Sequence, residues 1–303
     1  MDGPVRLPGE RRPWHEPVLV AEVRGFLHPR PGKLIVDATV GTGGHAEDFL
    51  RHGAAVVGID RDPHALALAR DRLAGFGERV RLVHGNFRDL PGLLSSLGLG
   101  RVDGVLFDLG ASSLQLGSPE RGFSFSSDGP LDMRMDPGSS TTASDLVNHL
   151  PEQELARILG EYGEERYARR IARAIVRARP LRTTLELASL VARAYPPGRH
   201  RIHPATRTFQ ALRIAVNDEL GALEAGLAGA GEVLAPGGVL AAIAFHSLED
   251  RIVKRFLRRE AVAGRLEVLT KRPVVPKEEE VARNPRSRSA KLRAARVPEV
   301  ASP

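Results

Sequence analysis

Three aspartates and one glycine loop carry the first chemical signal in this chain. Asp37 ends a short apolar run, and the loop A-T-V-G-T-G-G-H follows it, with Gly41, Gly43 and Gly44 close together. Glycines in such a loop let the backbone turn sharply and come close to a ligand. Asp60 ends a second apolar run about 20 residues later, and V-D-G-V-L-F-D-L carries Asp108 at the end of another. A carboxylate at the end of the second strand of such a unit accepts hydrogen bonds from ribose hydroxyls. Asp62-Pro63 fits the cap of the next helix, which leaves Asp60 for a ligand. Phe87, in H-G-N-F after a third run, offers a ring either to an adenine or to the core.

The loop is not the dehydrogenase spacing G-x-G-x-x-G, and no G-K-[ST] is present. A nicotinamide dehydrogenase and a P-loop nucleotidase are therefore disfavoured. Acidic strand ends suit a nucleoside that carries a cationic amino acid. S-adenosylmethionine is such a ligand, with ribose on Asp60, adenine near Phe87 and the amino group near Asp37 or Asp108.

The elements that hold these residues alternate. Strands are expected over Leu34 to Ala38, Ala55 to Ile59, Val80 to Val83 and Val102 to Leu109. Helices are expected over Val18 to Leu27, Ala46 to His52, Pro63 to Leu73 and Leu90 to Leu97. One helix between successive strands is the length of a parallel crossover. Every acidic strand end then falls on the edge where such sheets bind ligands.

The alternation breaks after Ser113. No strand is expected from Leu114 to Arg213. Asp128-Gly-Pro-Leu-Asp132-Met-Arg134-Met-Asp136 is an acidic loop that matches no calcium-loop spacing, and no metal is expected there. Three helices are expected between Thr142 and Ala194, and one long helix from Phe209 to Leu234, stopped by Pro236-Gly237-Gly238. An apolar strand from Val239 to Phe245 then ends in His246-Ser247-Leu248-Glu249. A helix from Asp250 to Arg259 and edge strands at Leu266 to Leu269 and Lys291 to Arg296 complete the pattern.

This organisation implies an α/β fold with a helical domain inserted in one loop. Residues 1–14 read as a flexible tail, with His15 a candidate cap or ligand contact. Residues 15–113 plus 214–303 form the discontinuous α/β domain, and 114–213 the insertion, which overhangs the ligand edge.

Charge points to an anionic partner. The net charge is +7, and the segment from Arg157 to Arg213 holds 13 arginines, no lysine and four acids. Arg166, Arg169, Arg170, Arg173 and Arg177 surround the apolar stripe of one expected helix. Guanidinium forks match phosphate oxygens, so this face reads as a phosphate-binding surface rather than a merely solvated one. No cysteine is present, which excludes disulfides and a cysteine nucleophile and fits a reducing, cytoplasmic setting. No apolar run approaches the ~20 residues of a membrane helix.

Longer strings carry a family resemblance. H-E-P-V-L at His15, D-A-T-V-G-T-G-G-H at Asp37, G-I-D-R-D at Gly58 and D-L-G-A-S-S at Asp108 come first. E-R-G-F-S-F at Glu120, D-G-P-L-D-M-R-M-D at Asp128, H-P-A-T-R-T-F-Q-A-L-R-I at His203 and F-H-S-L-E-D-R-I-V-K at Phe245 follow in order. Together the chain resembles the bacterial 16S ribosomal RNA cytosine-N4 methyltransferase family over roughly residues 14–296.

The resemblance implies a class I S-adenosylmethionine-dependent fold, Rossmann-like with a mostly parallel sheet. It implies N4-methylation of one cytidine in the decoding region of 16S ribosomal RNA or the small ribosomal subunit. Cofactor contacts are implied at Gly43, Gly44, His45, Asp60, Phe87, Asp108 and Gln115, beside Asp37 from the residue reading. Asp108, His246 and Ser247, with Asp132 and Arg134, are the candidates to face the cytosine. Arg207 joins the arginine helix as a candidate RNA contact. Rival readings are an amino-methyltransferase acting on another RNA, DNA or protein, and a non-catalytic RNA-binding assembly factor. The oligomeric state is open.

Overall fold

The computed structural model describes residues 17–198, 200 and 202–299. The expected tail (1–14) and His15 lie outside the described residues. Seven strands form one sheet in the order β3-β2-β1-β4-β5-β7-β6. They are β1 (Leu34–Asp37), β2 (Ala55–Asp60), β3 (Val80–His84), β4 (Val102–Asp108), β5 (Leu234–Ala244), β6 (Glu267–Val268) and β7 (Lys291–Arg296). Strands β1 to β5 run parallel, and β7 pairs antiparallel with both β5 and β6.

Helices α1 (Val20–Leu27), α2 (Gly44–Arg51), α3 (Pro63–Leu73), α4 (Leu90–Ser96) and α5 (Ser113–Gly117) interleave with the first strands. Then come α6 (Ala143–His149), α7 (Glu152–Gly163), α8 (Ala168–Ala178), α9 (Thr184–Ala194), α10 (Ala205–Asn217) and α11 (Glu219–Val233). Helices α12 (Ser247–Val262) and α13 (Glu278–Arg283) follow β5.

Successive strand residues face opposite ways, and both faces of this sheet are covered. Val36, Val57, Phe107 and Leu240 pack under α4, α11 and α12, with Leu90, Leu227 and Phe256. Their neighbours Ile35, Val56, Leu106 and Ala241 pack under α1 and α2, with Leu27 and Phe49. This is why the strands read as continuous apolar runs. A separate cluster joins α6 to α10, with Leu159, Ile171, Ile175, Val191 and Leu212, and takes in Leu131 and Met133 of the acidic loop.

Asp62 caps α3 through the His64 N–H with Pro63 at the first helical position, as its spacing predicts. A capping box of Thr183 and Glu186 starts α9. Two expectations fail at one kind of residue. The three helices before Ala194 are four, because Glu164 ends α7 in the left-handed region at φ 47°. The single long helix is two, because Asp218 breaks it at φ 46°. The strand expected from Val239 starts at Leu234, and Pro236-Gly237-Gly238 sits in an irregular step of the β4–β5 pairing, between Val102 and Gly104. Among the described residues, no helix is long and apolar enough to cross a membrane.

Candidate active site

Parallel pairing brings the acidic strand ends together. Asp37 pairs level with Gly58 and Leu106, and Asp108 level with Ile243. A cavity of about 360 Å³ opens above this edge. Its lining includes Asp37, Gly44, His45, Asp60, Phe87 and Asp108 from the expected set, together with Gln115 and His246.

The glycine loop is built around Asp60. Oδ2 of Asp60 accepts from the Gly41 N–H at 2.8 Å, and Oδ1 from the Asp62 N–H at 2.8 Å. Each oxygen keeps lone pairs for a ligand diol. Burial lifts the Asp60 carboxyl above its ordinary pKa, opposed by these two N–H groups. Gly43 caps α2 at φ 85°, a conformation costly for any residue with a Cβ. A Cβ there would meet Leu73, and Gly43 is not among the residues lining the cavity.

Two carboxylates and one imidazole form the floor. Asp37 is 1% exposed, and burial pushes its pKa up to about 7, against the pull of His45 and with the push of Asp108. Thr39 ties β1 to β4, since its Oγ1 accepts from the Asp108 N–H at 2.6 Å. His45 is 4% exposed with Nε2 3.6 Å from Oδ2 of Asp108. Burial opposes charge on His45, but Asp108 and Asp37 outweigh it and raise the ring above its usual value. Both His45 nitrogens and Oδ1 of Asp108 are buried without a hydrogen-bond partner among the described residues.

Phe87 meets Phe107 edge to face at 5.3 Å. Helix α11 reaches it through Gly226, where a Cβ would lie 2.7 Å from Cδ2 of Phe87. Gln115 is 4% exposed and its amide is engaged at both ends. Its oxygen accepts from the Ser112 N–H at 3.0 Å, and its nitrogen donates to Asp62 at 2.9 Å.

His246 caps α12, with Nδ1 accepting from the Glu249 N–H at 3.3 Å. The neutral ring then carries its proton on Nε2, so it is a donor and not a base. Glu249 is 2% exposed and accepts from the Phe245 N–H at 2.8 Å. Its Oε1 lies 3.2 Å from His246 Nε2 without the alignment of a hydrogen bond.

Other candidates sit elsewhere. Ser247 is exposed, does not line the cavity, and donates its hydroxyl to Glu164. Asp132 and Arg134 also lie outside the lining and hold each other through two hydrogen bonds, at 2.9 and 2.7 Å. The Arg134 guanidinium also donates to the carbonyls of Pro137 and Ser139. That pairing organises the loop. Arg166, Arg169, Arg170, Arg173 and Arg177 all stand exposed on or beside α8. Arg207 is half-buried and donates to the Glu164 carbonyl at 2.8 Å.

Sequence reasoning missed a buried ion pair in the lining. Nε of Arg213 meets Oε1 of Glu219 at 2.8 Å, and Nη2 meets Oε2 at 3.0 Å. The available signal was Arg213 set between the apolar Leu212 and Ile214, with Glu219 just before Leu220. Asn217 was missed too. It accepts from the Met135 N–H and donates to the Met133 carbonyl, both at 2.7 Å, and so fixes the acidic loop to α10. Among the described residues no cluster of three or more His, Asp or Glu could hold a metal.

The donor set matches a nucleoside with a cationic tail. Asp60 offers acceptors for a diol, Phe87 a ring face, and Asp37 with Asp108 acceptors for an ammonium. The unpartnered buried atoms of His45 and Asp108 are what such a ligand would satisfy. The sheet order and this cavity define an S-adenosylmethionine-dependent methyltransferase of the class I, Rossmann-like fold.

Residues 12–297 match the family model described as the MraW methylase family, and the chain belongs to that family. It is 56% identical to the ribosomal RNA small subunit methyltransferase H of Geobacter sulfurreducens, covering 93% of this chain and 98% of that protein. The protein of the same name from Carboxydothermus hydrogenoformans is 54% identical, with 93% and 97% covered. That from Deinococcus radiodurans is 55% identical, with 92% and 88% covered.

Proposed function

We propose that this chain methylates N4 of one cytidine in the decoding region of 16S ribosomal RNA, as free RNA or within the small subunit. The observation that carries the reading is its likeness, along almost the whole chain, to proteins named for small-subunit ribosomal RNA. The setting is then the cytoplasm. Residues 114–213 act as an inserted substrate domain on the α/β domain of 15–113 and 214–303.

The donor supplies an activated methyl on a sulfonium. The protein has to hold the cytosine amine in line with the S–CH₃ bond, which breaks with its electron pair left on sulfur as a thioether, while the N–C bond forms and one amine proton leaves. Positioning contributes ~7–11 kcal/mol. A general base contributes 10²–10⁴-fold, ~3–5 kcal/mol. Positioning therefore dominates, and no covalent intermediate is needed. Asp60 holds the ribose, Phe87 the adenine, and Asp37 the ammonium. Gly44 and His45 line the methionine end. Asp108, with its Oδ1 unpartnered among the described residues, is the candidate acceptor for the amine proton. The target base leaves its stack to enter, while the arginines of α8 grip the backbone.

Transfer of radiolabelled methyl to purified small subunits, free 16S RNA, DNA and protein tests the reading. Label recovered as N4-methylcytidine in 16S RNA is expected. Label in DNA or protein alone would transfer the reading to another acceptor. Donor binding without any transfer would favour a silent assembly factor.

A further inference from the structure

Glu164 bridges two distant parts of the chain. Its carboxylate accepts from the Ser247 hydroxyl and, at 2.8 Å, from Nη2 of Arg251. Its carbonyl accepts from Nη1 of Arg207 at 2.8 Å. The bridge therefore joins the end of α7 to the start of α12. It lies beside the cavity on both sides. His246, which lines the cavity, directly precedes Ser247. Gln210, also in the lining, donates to the carbonyl of Tyr162, two residues before Glu164.

Stability does not explain the bridge. Glu164 sits at φ 47°, a conformation costing ~1–2 kcal/mol for a residue with a Cβ. The side chains of Arg251 and Glu164 are 46% and 41% exposed, and such ion pairs contribute ~0–1 kcal/mol. The surroundings are basic, with Arg166, Arg169 and Arg170 exposed a few residues on. A hydroxyl and a guanidinium converging on an anion are a donor set for phosphate.

We infer that Ser247 and Arg251 form a site for a backbone phosphate of the RNA substrate, held by the Glu164 carboxylate until RNA displaces it. The inference rests on RNA as the substrate. A backbone phosphodiester carries the same single negative charge as the carboxylate, but it arrives tethered to the base that enters the cavity. The exchange also breaks a link between α7 and α12, so RNA loosens the cavity mouth as it docks.

The test uses Glu164→Gln, Arg251→Ala and the double variant of the full chain. RNA affinity is measured across salt concentrations with a 16S RNA fragment, and methyl transfer with small subunits. Glu164→Gln should bind RNA about three- to five-fold tighter, the scale of a surface pair removed. Arg251→Ala should bind more weakly, with the log–log salt slope shallower by about 0.7. The gain from Glu164→Gln should vanish in the Arg251→Ala background. A gain that persists there reflects general repulsion and overturns the inference. Weaker RNA binding by Glu164→Gln with a lowered melting midpoint marks a structural clamp and also overturns it. Wild type that binds and methylates no RNA sinks the substrate reading itself, and this inference with it.

Discussion

Nε2 of His45 lies 3.6 Å from Oδ2 of Asp108, and neither His45 nitrogen has a hydrogen-bond partner among the described residues. Leaving a buried polar group unpaired costs ~1–3 kcal/mol. The floor of the cavity is thus arranged for a charged, hydrogen-bonding guest rather than for the stability of the free protein.

Asp37 makes donor binding pH-dependent. Its folded pKa, about 7, lies above the ordinary 3.8. Its contribution to folding is therefore fully present below pH 3.8 and is lost as pH rises through about 7. A cationic ligand favours the ionised form, so binding should expel a proton, about half of one at pH 7. Calorimetry in buffers of different ionisation enthalpy reads this directly. Binding with no proton release, and no gain in affinity from pH 6 to 8, would count against Asp37 facing the ammonium.

Asp60→Ala should weaken S-adenosylmethionine binding by about 10–100-fold, since hydrogen bonds to a charged group contribute ~1.5–3 kcal/mol. A 2′,3′-dideoxy analogue should bind wild type and variant alike. Equal losses for both ligands would place the effect in the glycine loop that Asp60 organises, and not in a diol contact.

His246→Asn keeps both the helix cap and an N–H donor. Methyl transfer should stay within several-fold of wild type, while His246→Ala loses more. Neither change should remove a limb of the pH–rate profile. A limb that disappears in both variants would make His246 a base after all.

Gly226→Ala should destabilise the protein by ~1–3 kcal/mol through overpacking. The new methyl would press on Cδ2 of Phe87, 2.7 Å away, and on the Phe87 carbonyl at 3.2 Å. A planar ring cannot give way as a flexible chain does, so adenosine affinity should fall with the melting midpoint. Unchanged affinity would argue that Phe87 is only core.

Replacing Arg170 or Arg177 with alanine should shift the salt slope of RNA binding by about 0.7 each. A flat salt response in wild type would mean that the α8 face is merely solvated.

The strand ends were legible in the sequence because one rule governs them. An apolar run ending in Asp37, Asp60 or Asp108 marks the carboxyl edge of a parallel sheet. The helix breaks were not legible. Glu164 and Asp218 turn the chain in the left-handed region without being glycine or proline, so local punctuation gives no warning. Asp132 and Arg134 misled for a different reason. Spacing shows that two charges are near each other, but not that they pair together instead of facing a substrate. Arg213 and Glu219 make the opposite case, because their partnership needs the turn at Asp218 to bring them together.

Strand β7 follows β6 in the chain, yet it lies inside the sheet between β5 and β6. Ser289, two residues before it, still lines the cavity, as does Arg286. Domains generally fold from the N-terminus as they are synthesised, but here the donor pocket cannot be finished early. The glycine loop and the three aspartates, all at the ends of the early strands, share their cavity wall with Arg286 and Ser289, far later in the chain.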